Sequence, residues 1–216
     1  DCGATGAATV TFSATDACGN ATSTTATFTI EDTTAPTRDA DAMDSTVECD
    51  GAGNAADLDA WLASNGGASA TDACSGVTWS NDFDALSDDC GATGAATVTF
   101  SATDACGNAT STTATFTIED TTAPAVMDAM DATAECDGAG NAADLDAWLA
   151  SNGGASATDA CSGVTWTNDF DGLTNACGPT GSALVNFTAT DACGNAASTT
   201  ATFTIEDTTA PSVVDA

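Results

Sequence analysis

The chain reads as all-β: tandem immunoglobulin-like β-sandwich modules repeating about every 88 residues, each with one short helix. Three observations lead there. Residues 1–36, DCGATGAATVTFSATDACGNATSTTATFTIEDTTAP, recur letter for letter as 89–124, a step of 88 (89 − 1), and a diverged third copy runs from Ala176 to Pro211. The segment Val47–Trp79 returns with one change as Ala134–Trp166, a step of 87 (134 − 47). Within each copy, apolar and hydroxyl side chains alternate with a period of two, the mark of half-buried strands. With EDTTAP as the joint, the expected organisation is a C-terminal half module (1–34), two complete modules (35–122 and 123–209) and the start of another (210–216). The chain opens in mid-module, as expected of a window from a longer repetitive protein or of the unit of a polymer.

The elements follow in order within one module. Ser45–Glu48 is a weak first strand. Asn54 then stands as an N-cap, with Asp57 three residues on in the manner of a capping box. Leu58, Trp61 and Leu62 form one apolar stripe at helical spacing, so a helix of about ten residues starts at Ala55 and stops near Gly66. It is too short to persist alone, so packing of Trp61 must hold it against one edge or end of the sandwich. Ala68–Thr71 is a short strand. Val77 and Trp79 mark another, with Trp79 as its large core anchor. Ala95–Thr103 alternates cleanly, Ala96, Val98, Phe100 and Ala102 inward and threonines outward; Thr110–Ile118 repeats the pattern with Ala114, Phe116 and Ile118. The link DACGN (Asp104–Asn108) carries turn formers, so the pair is a hairpin.

Composition narrows the function. One basic residue (Arg38) faces 32 acidic ones, for a formal charge of −31. Nucleic acid is excluded by like-charge repulsion, and insertion into a membrane finds no long apolar run. Such a chain repels itself unless cations screen or bridge it. With no His, Lys or Tyr, only paired carboxylates could act as catalysts, and nothing singles out one pair, so an enzyme is not expected. The absence of Lys also rules out Lys-based isopeptide cross-links.

Ten cysteines sit in register, four per complete module, with no Cys-x-x-Cys pair and no His to make a zinc site. Disulfides in an oxidising, extracellular compartment are the expectation. If each module enters at one end and leaves at the other, strand direction puts Cys49 and Cys90 at the bottom and Cys74 and Cys106 at the top. The expected pairs are Cys49–Cys90 and Cys74–Cys106, with Cys136–Cys177 and Cys161–Cys193 in the next module. Each would close a loop of roughly 30–40 residues, worth about 3–4 kcal/mol in the chain-entropy model. Cys2 and Cys18 are left without partners.

The same directions gather acids at the joints. Glu31 and Asp32 end one module, and Asp72, Asp104 and Asn108 lie in the top loops of the next. Glu119, Asp120, Asp159, Asp191 and Asn195 repeat the set. These hard oxygen ligands suit calcium, which takes six to eight of them and would stiffen the joint. The competing role for each Asp or Asn is to cap its own turn.

The motifs DTTAP, SGVTW, CGATG followed by TVTF, and ATDACGN resemble the hyalin-repeat (HYR-like) and related immunoglobulin-like modules of large secreted bacterial surface proteins, over essentially the whole chain. That resemblance implies an extracellular structural or adhesive role and no catalytic residues. The leading expectation is a structural repeat of an extracellular filament, stalk or matrix fibre that associates end to end with copies of itself, at about 35–45 Å per module. The alternative is a cell-surface adhesin for a receptor or glycan, which the near-invariant loops and inward aromatics favour less. Ice binding by the threonine ladders ranks lower. Sequons at Asn20, Asn108 and Asn186, and the DTT and DST triplets (Asp120–Thr122, Asp44–Thr46), could carry sugar.

Overall fold

The computed structural model describes residues 2–175 and 178–213. The chain folds as two compact units: Asp1–Val47 with Asn54–Ser87 and Ala95–Thr117, and Glu48–Gly53 with Asp88–Gly94 and Ile118–Ala216. Each unit therefore combines segments from successive sequence repeats.

The first full module contains β3 (Thr37–Ala40), β4 (Ser45–Glu48), α1 (Ala55–Ala63), β5 (Ser69–Thr71), β6 (Val77–Asn81), β7 (Gly94–Asp104) and β8 (Ala109–Glu119), preceded by the hairpin β1 (Gly6–Thr15) and β2 (Ala21–Ile30). The four-stranded sheet runs β4-β8-β7-β6, and β3 pairs with β5. The second repeats this with β9 (Ala125–Met127), β10 (Ala132–Glu135), α2 (Ala142–Ala150), β11 (Ser156–Thr158), β12 (Thr165–Asn168), β13 (Thr174–Asn175), β14 (Gly181–Thr190) and β15 (Ala196–Glu206). Its sheet runs β10-β15-β14-β12, with β13 on β14 and β9 on β11; β10 lies parallel to β15. The all-β class and the single short helix per module stand as expected. Strand β3 has no sequence signal: TRDA has neither alternation nor β-branched bulk beyond its Thr.

Alternation decides the core. Val98, Phe100, Ala102 and Phe116 are fully buried, and Ala114 and Ile118 nearly so. Trp61 covers this face rather than an edge. Its ring meets Phe100 edge-on at 5.1 Å and Phe116 at 5.5 Å, and its Nε1–H donates to Met43 O at 3.0 Å. A buried indole needs both the aromatic contacts and that acceptor. The helix thus supplies much of the layer opposite the main sheet. Trp79, expected as the core anchor, is only half-buried on β6. Trp148 repeats the arrangement with Phe187 and Phe203 at 5.2 and 5.4 Å.

The helix ends differ from the expected capping box. Asn54 adopts the left-handed conformation (φ 49°), and its side chain caps no backbone N–H; instead its Nδ2 donates to Asp57 Oδ2 at 3.1 Å. At the other end Asn65 (φ 54°) takes the left-handed stop, with Gly66 (φ 64°) after it. Gly66 is needed for space as well. A Cβ there would sit 3.1–3.2 Å from Ala42 Cβ and Phe100 Cε2, close enough that these neighbours would have to give by a few tenths of an ångström. Arg38, the sole cation, bonds Ser111 O at 2.6 Å and faces Asp41 at 3.3 Å.

The disulfides correct the expected pairing. Cys2 bonds Cys106, Cys49 bonds Cys161, and Cys90 bonds Cys193. None joins two cysteines of one module. The pairs Cys49–Cys90, Cys74–Cys106 and Cys161–Cys193 are therefore not formed, Cys74 is a free thiol, and Cys2 has a partner. Cys177, expected to pair with Cys136, lies outside the described residues. The loops 48–53 and 88–94 fall in one unit with the loop of Cys161. Closure inside one repeat fails because a loop of the neighbouring repeat intervenes: the loop of Cys161 packs on both Gly51 and Gly91, and the loop of Cys2 bonds Cys106 and packs on Cys74. Cys2–Cys106 and Cys90–Cys193 are the same bridge one repeat apart, with sequence separations of 104 and 103. Loops that long are worth about 4.7 kcal/mol each in the chain-entropy model, more than the shorter within-module loops would be.

Two outcomes follow. Non-reduced proteolytic mapping should recover Cys2–Cys106, Cys49–Cys161 and Cys90–Cys193; recovery of Cys49–Cys90 would overturn this topology. Trp61→Ala should cost about 3–5 kcal/mol in denaturant unfolding with the bridges intact, and a loss below about 1 kcal/mol would show that the helix does not hold the core.

Candidate metal centre

Each unit places two kinds of loop back to back. In the second unit, the CGATG loop lays Ala92 N on Cys161 O at 2.9 Å, and Gly91 (φ 63°) sits so close to Cys161 O and Ser162 Cβ that no side chain fits. The first unit repeats the contact, with Ala4 N on Cys74 O at 2.9 Å. The small residues of these loops let backbone meet backbone, which brings the cysteines and the neighbouring acids within reach of one another.

Two acid clusters result. Asp32, Asp104 and Cys106 present ligand atoms within 4.8 Å of one another in the first unit, as do Asp120, Asp159 and Cys161 in the second. Both cysteines are oxidised, so only carboxylate oxygen is on offer. Asp104 and Asp191 are turn caps. Asp104 Oδ1 accepts from Cys106 N and Asn108 N at 2.8 and 2.9 Å, and Oδ2 from Asn108 Nδ2 at 2.8 Å. Asp191 accepts from Asn195 in the same way. Burial would raise both carboxyls, but the Asn side-chain and backbone donors outweigh it and hold them below the usual range. Asp72 and Asp159 cap the Cys74 and Cys161 turns through backbone donors at 2.9 Å.

Asp32 and Asp120 behave differently. Each turns one oxygen to a local backbone N–H (Thr34 at 3.1 Å, Thr122 at 3.2 Å), while the other, Oδ2, is buried with no hydrogen bond. Asp120 is 9% exposed. Burial pushes its carboxyl up, and Asp159, Asp191 and Glu48 push it further the same way, against the donor from Thr122. A buried carboxylate oxygen with no donor, beside further carboxylates, lacks a positive partner. The chemistry fits a hard divalent cation: Asp120 and Asp159 would hold it in one unit, Asp32 and Asp104 in the other.

The ten sequence-derived candidates therefore divide. Asp32, Asp104, Asp120 and Asp159 come together in the clusters, with Asp191 beside the second. Asp72 serves its turn. Glu31 and Glu119 are exposed and belong to neither cluster. Asn108 and Asn195 act as latches, donating Nδ2 to Asp32 O at 3.1 Å and Asp120 O at 2.9 Å. Sequence reading missed Glu48. Its carboxylate accepts from Thr121 N, Thr121 Oγ1 and Thr122 Oγ1 at 2.7–2.9 Å, and these donors hold it below the usual range. Glu135 does the same with Thr208 and Thr209. The available signal was the repeat itself: the E of each VEC/AEC and the TT of each DTTAP recur at matched spacing.

No helix among the described residues is long and apolar enough to cross a membrane, which does not bear on β-barrels. No protein-family model matches the sequence, and no curated protein does. Solved structures with similarity include the EC1–3 fragment of mouse clustered PcdhgC3 (11% identity, TM-score 0.34, covering 95% of this chain and 79% of that one). Others are Drosophila N-cadherin EC1–4 (11%, TM-score 0.29, 65% and 44%) and mouse Cadherin-23 EC22–24 (13%, TM-score 0.29, 94% and 75%). At these scores the likeness adds nothing to the strand pairing and burial on which the fold class rests.

Proposed function

We propose that the chain is a structural repeat segment of an extracellular filament, stalk or matrix fibre, in which successive modules are bridged by disulfides and clamped by calcium. The observation that carries this reading is the recurrence of one bridge, Cys2–Cys106 and Cys90–Cys193, a repeat apart, with a buried unpartnered aspartate oxygen in each unit, Asp32 beside Cys106 and Asp120 beside Cys161. Bridges that join repeat to repeat serve transmission of load along a chain; they contribute nothing to a catalytic pocket. The three disulfides support an oxidising compartment outside the cytosol. The module boundaries 1–34, 35–122, 123–209 and 210–216 belong to this reading, as does association with further copies. A charge of −31 makes bridging cations the natural counterweight.

The residues do what a weak, hard-ion joint requires. Asp120 and Asp159 supply anionic oxygen, Asn195 fixes the carbonyl of Asp120, and Glu48 ties down Thr121 and Thr122 so that Asp120 stays aimed inward. Calcium would supply positive charge and coordination there.

Calcium at about 100 times its Kd should stabilise by ~2.7 kcal/mol, a rise of roughly 5–10 °C in Tm for a chain this size. Asp120→Asn should remove at least half of that rise. Unchanged melting in EGTA with bridges intact would sink the calcium part. The effect should also depend on pH. Asp120 is raised in the fold, so without metal its contribution is full below the ordinary Asp value of 3.8 and is lost as pH rises through its folded value. The calcium increment in Tm should therefore grow between about pH 4 and pH 7. Asp104 and Asp191, lowered in the fold, lose their contribution only as pH falls below that window.

A further inference from the structure

The hairpin β1–β2 has the same sequence as β7–β8, letter for letter, and a different environment. Val98, Phe100 and Phe116 are 0% exposed and Ile118 3%, whereas Val10, Phe12, Phe28 and Ile30 are 50, 58, 69 and 50% exposed. The β7–β8 pair lies in the middle of a four-stranded sheet; β1–β2 is a sheet of two, with both outer edges unpaired. Two strands with a bare apolar face are marginal by themselves, and unpaired edges recruit further strands.

A second observation identifies what is missing. The loop ATDACSG occurs at Ala70–Gly76 and again at Ala157–Gly163. Cys161 in the later copy is bonded to Cys49, the cysteine of a CDGAGN loop that precedes a helix. Cys74 in the earlier copy is a free, half-buried thiol. The backbone contact and the other bridge agree: Ala4 N meets Cys74 O as Ala92 N meets Cys161 O, and Cys2–Cys106 matches Cys90–Cys193. The bare face and the free thiol lie in one unit, and both lack partners that elsewhere belong to one continuous segment, residues 45–81.

We infer that the β1–β2 face is a docking site for a polypeptide segment of the 45–81 kind, which would lay its helix and flanking strands on the hairpin and join its CDGAGN cysteine to Cys74. The helix would place its Leu and Trp on Phe12 and Phe28 as Trp61 sits on Phe100 and Phe116, and as Leu145 and Trp148 share a core with Phe187 and Phe203. One flanking strand would add beside β1 as β6 adds beside β7, and the other beside β2 as β4 adds beside β8. The covalent step is thiol–disulfide exchange. Two thiols lose two protons and two electrons in forming the bridge, and a small-molecule disulfide takes them, leaving as two thiols. This inference stands apart from the calcium reading, since both partners can be mixed in chelator.

The test uses the whole chain and a synthetic peptide of residues 35–88 bearing Cys74→Ser, which leaves one thiol on the peptide. The two are mixed in EGTA with a glutathione redox pair at about pH 8.5, near the ordinary thiol value. The expected product is a 1:1 adduct whose non-reduced digest links peptide Cys49 to chain Cys74. Amide exchange in residues 6–15 and 21–30 should slow at least about tenfold. Phe12→Asp in the chain, or Leu58→Asp in the peptide with the chain untouched, should each reduce adduct yield at least about tenfold. Four results would overturn the inference: no adduct, linkage spread equally over Cys18 and Cys136, a yield indifferent to both substitutions, or a chain that dimerises through the hairpin and excludes the peptide.

Discussion

The close backbone contact between loops of successive repeats is the constraint on which the rest depends. Gly91 and Ala92 lie directly on the carbonyl of Cys161, and Gly51 is packed as closely on Ala160. Only residues without bulk permit that approach. Once it is made, Cys49 meets Cys161, Cys90 meets Cys193, and the acids of the same loops are forced together. A chain with 32 acidic residues and one basic residue would not choose this proximity on electrostatic grounds. The covalent bridges hold it, and the repulsion left over falls on the buried Asp120 carboxyl, which Asp159, Asp191 and Glu48 push up along with burial.

The module core follows a separate logic. A sheet whose inner face carries Val98, Phe100, Phe116 and Ile118 must cover that face, and the partner strands β3 and β5 are only four and three residues long. A nine-residue helix does the covering instead, through Leu58 and Trp61. The helix has little intrinsic stability. It persists because Trp61 meets two phenylalanines and one carbonyl at once, and because Asn65 and Gly66 turn the chain sharply behind it.

What the sequence made legible is what depends on local pattern. Period-two alternation locates β7 and β8 to within a residue or two, and helical spacing locates α1. Pairing of cysteines depends on which loops meet in space, and no local pattern encodes that. Strand direction yields the wrong partners when it is applied inside one repeat whose contacts run to its neighbour. The acid site is half legible for a related reason. Ten residues are drawn to the joints, but only three-dimensional placement separates Asp104 and Asp191, whose oxygens are satisfied by their own turns, from Asp32 and Asp120, which each keep an oxygen without a donor. Glu48 escapes notice because a carboxylate a few residues before a helix cap carries no motif of its own.

The two identical hairpins sharpen that distinction. Thr9 and Thr27 bond across the first as Thr97 and Thr115 do across the second, at 3.0 and 2.9 Å, and both turns are closed by an aspartate, Asp16 and Asp104, and an asparagine, Asn20 and Asn108. Strand pairing and turn chemistry are therefore properties of the 36-residue string itself. Burial is not: Phe12 and Phe100 share every sequence neighbour from 1–36 and 89–124, yet the first is 58% exposed and the second 0%. The hydrophobic term, worth about 25 cal/mol per Å², thus comes from the helix and strands packed on a hairpin and not from the hairpin string itself. The hairpin is set by local sequence and its burial by tertiary contacts, so stability in a repeat array depends on neighbouring segments as much as on each string.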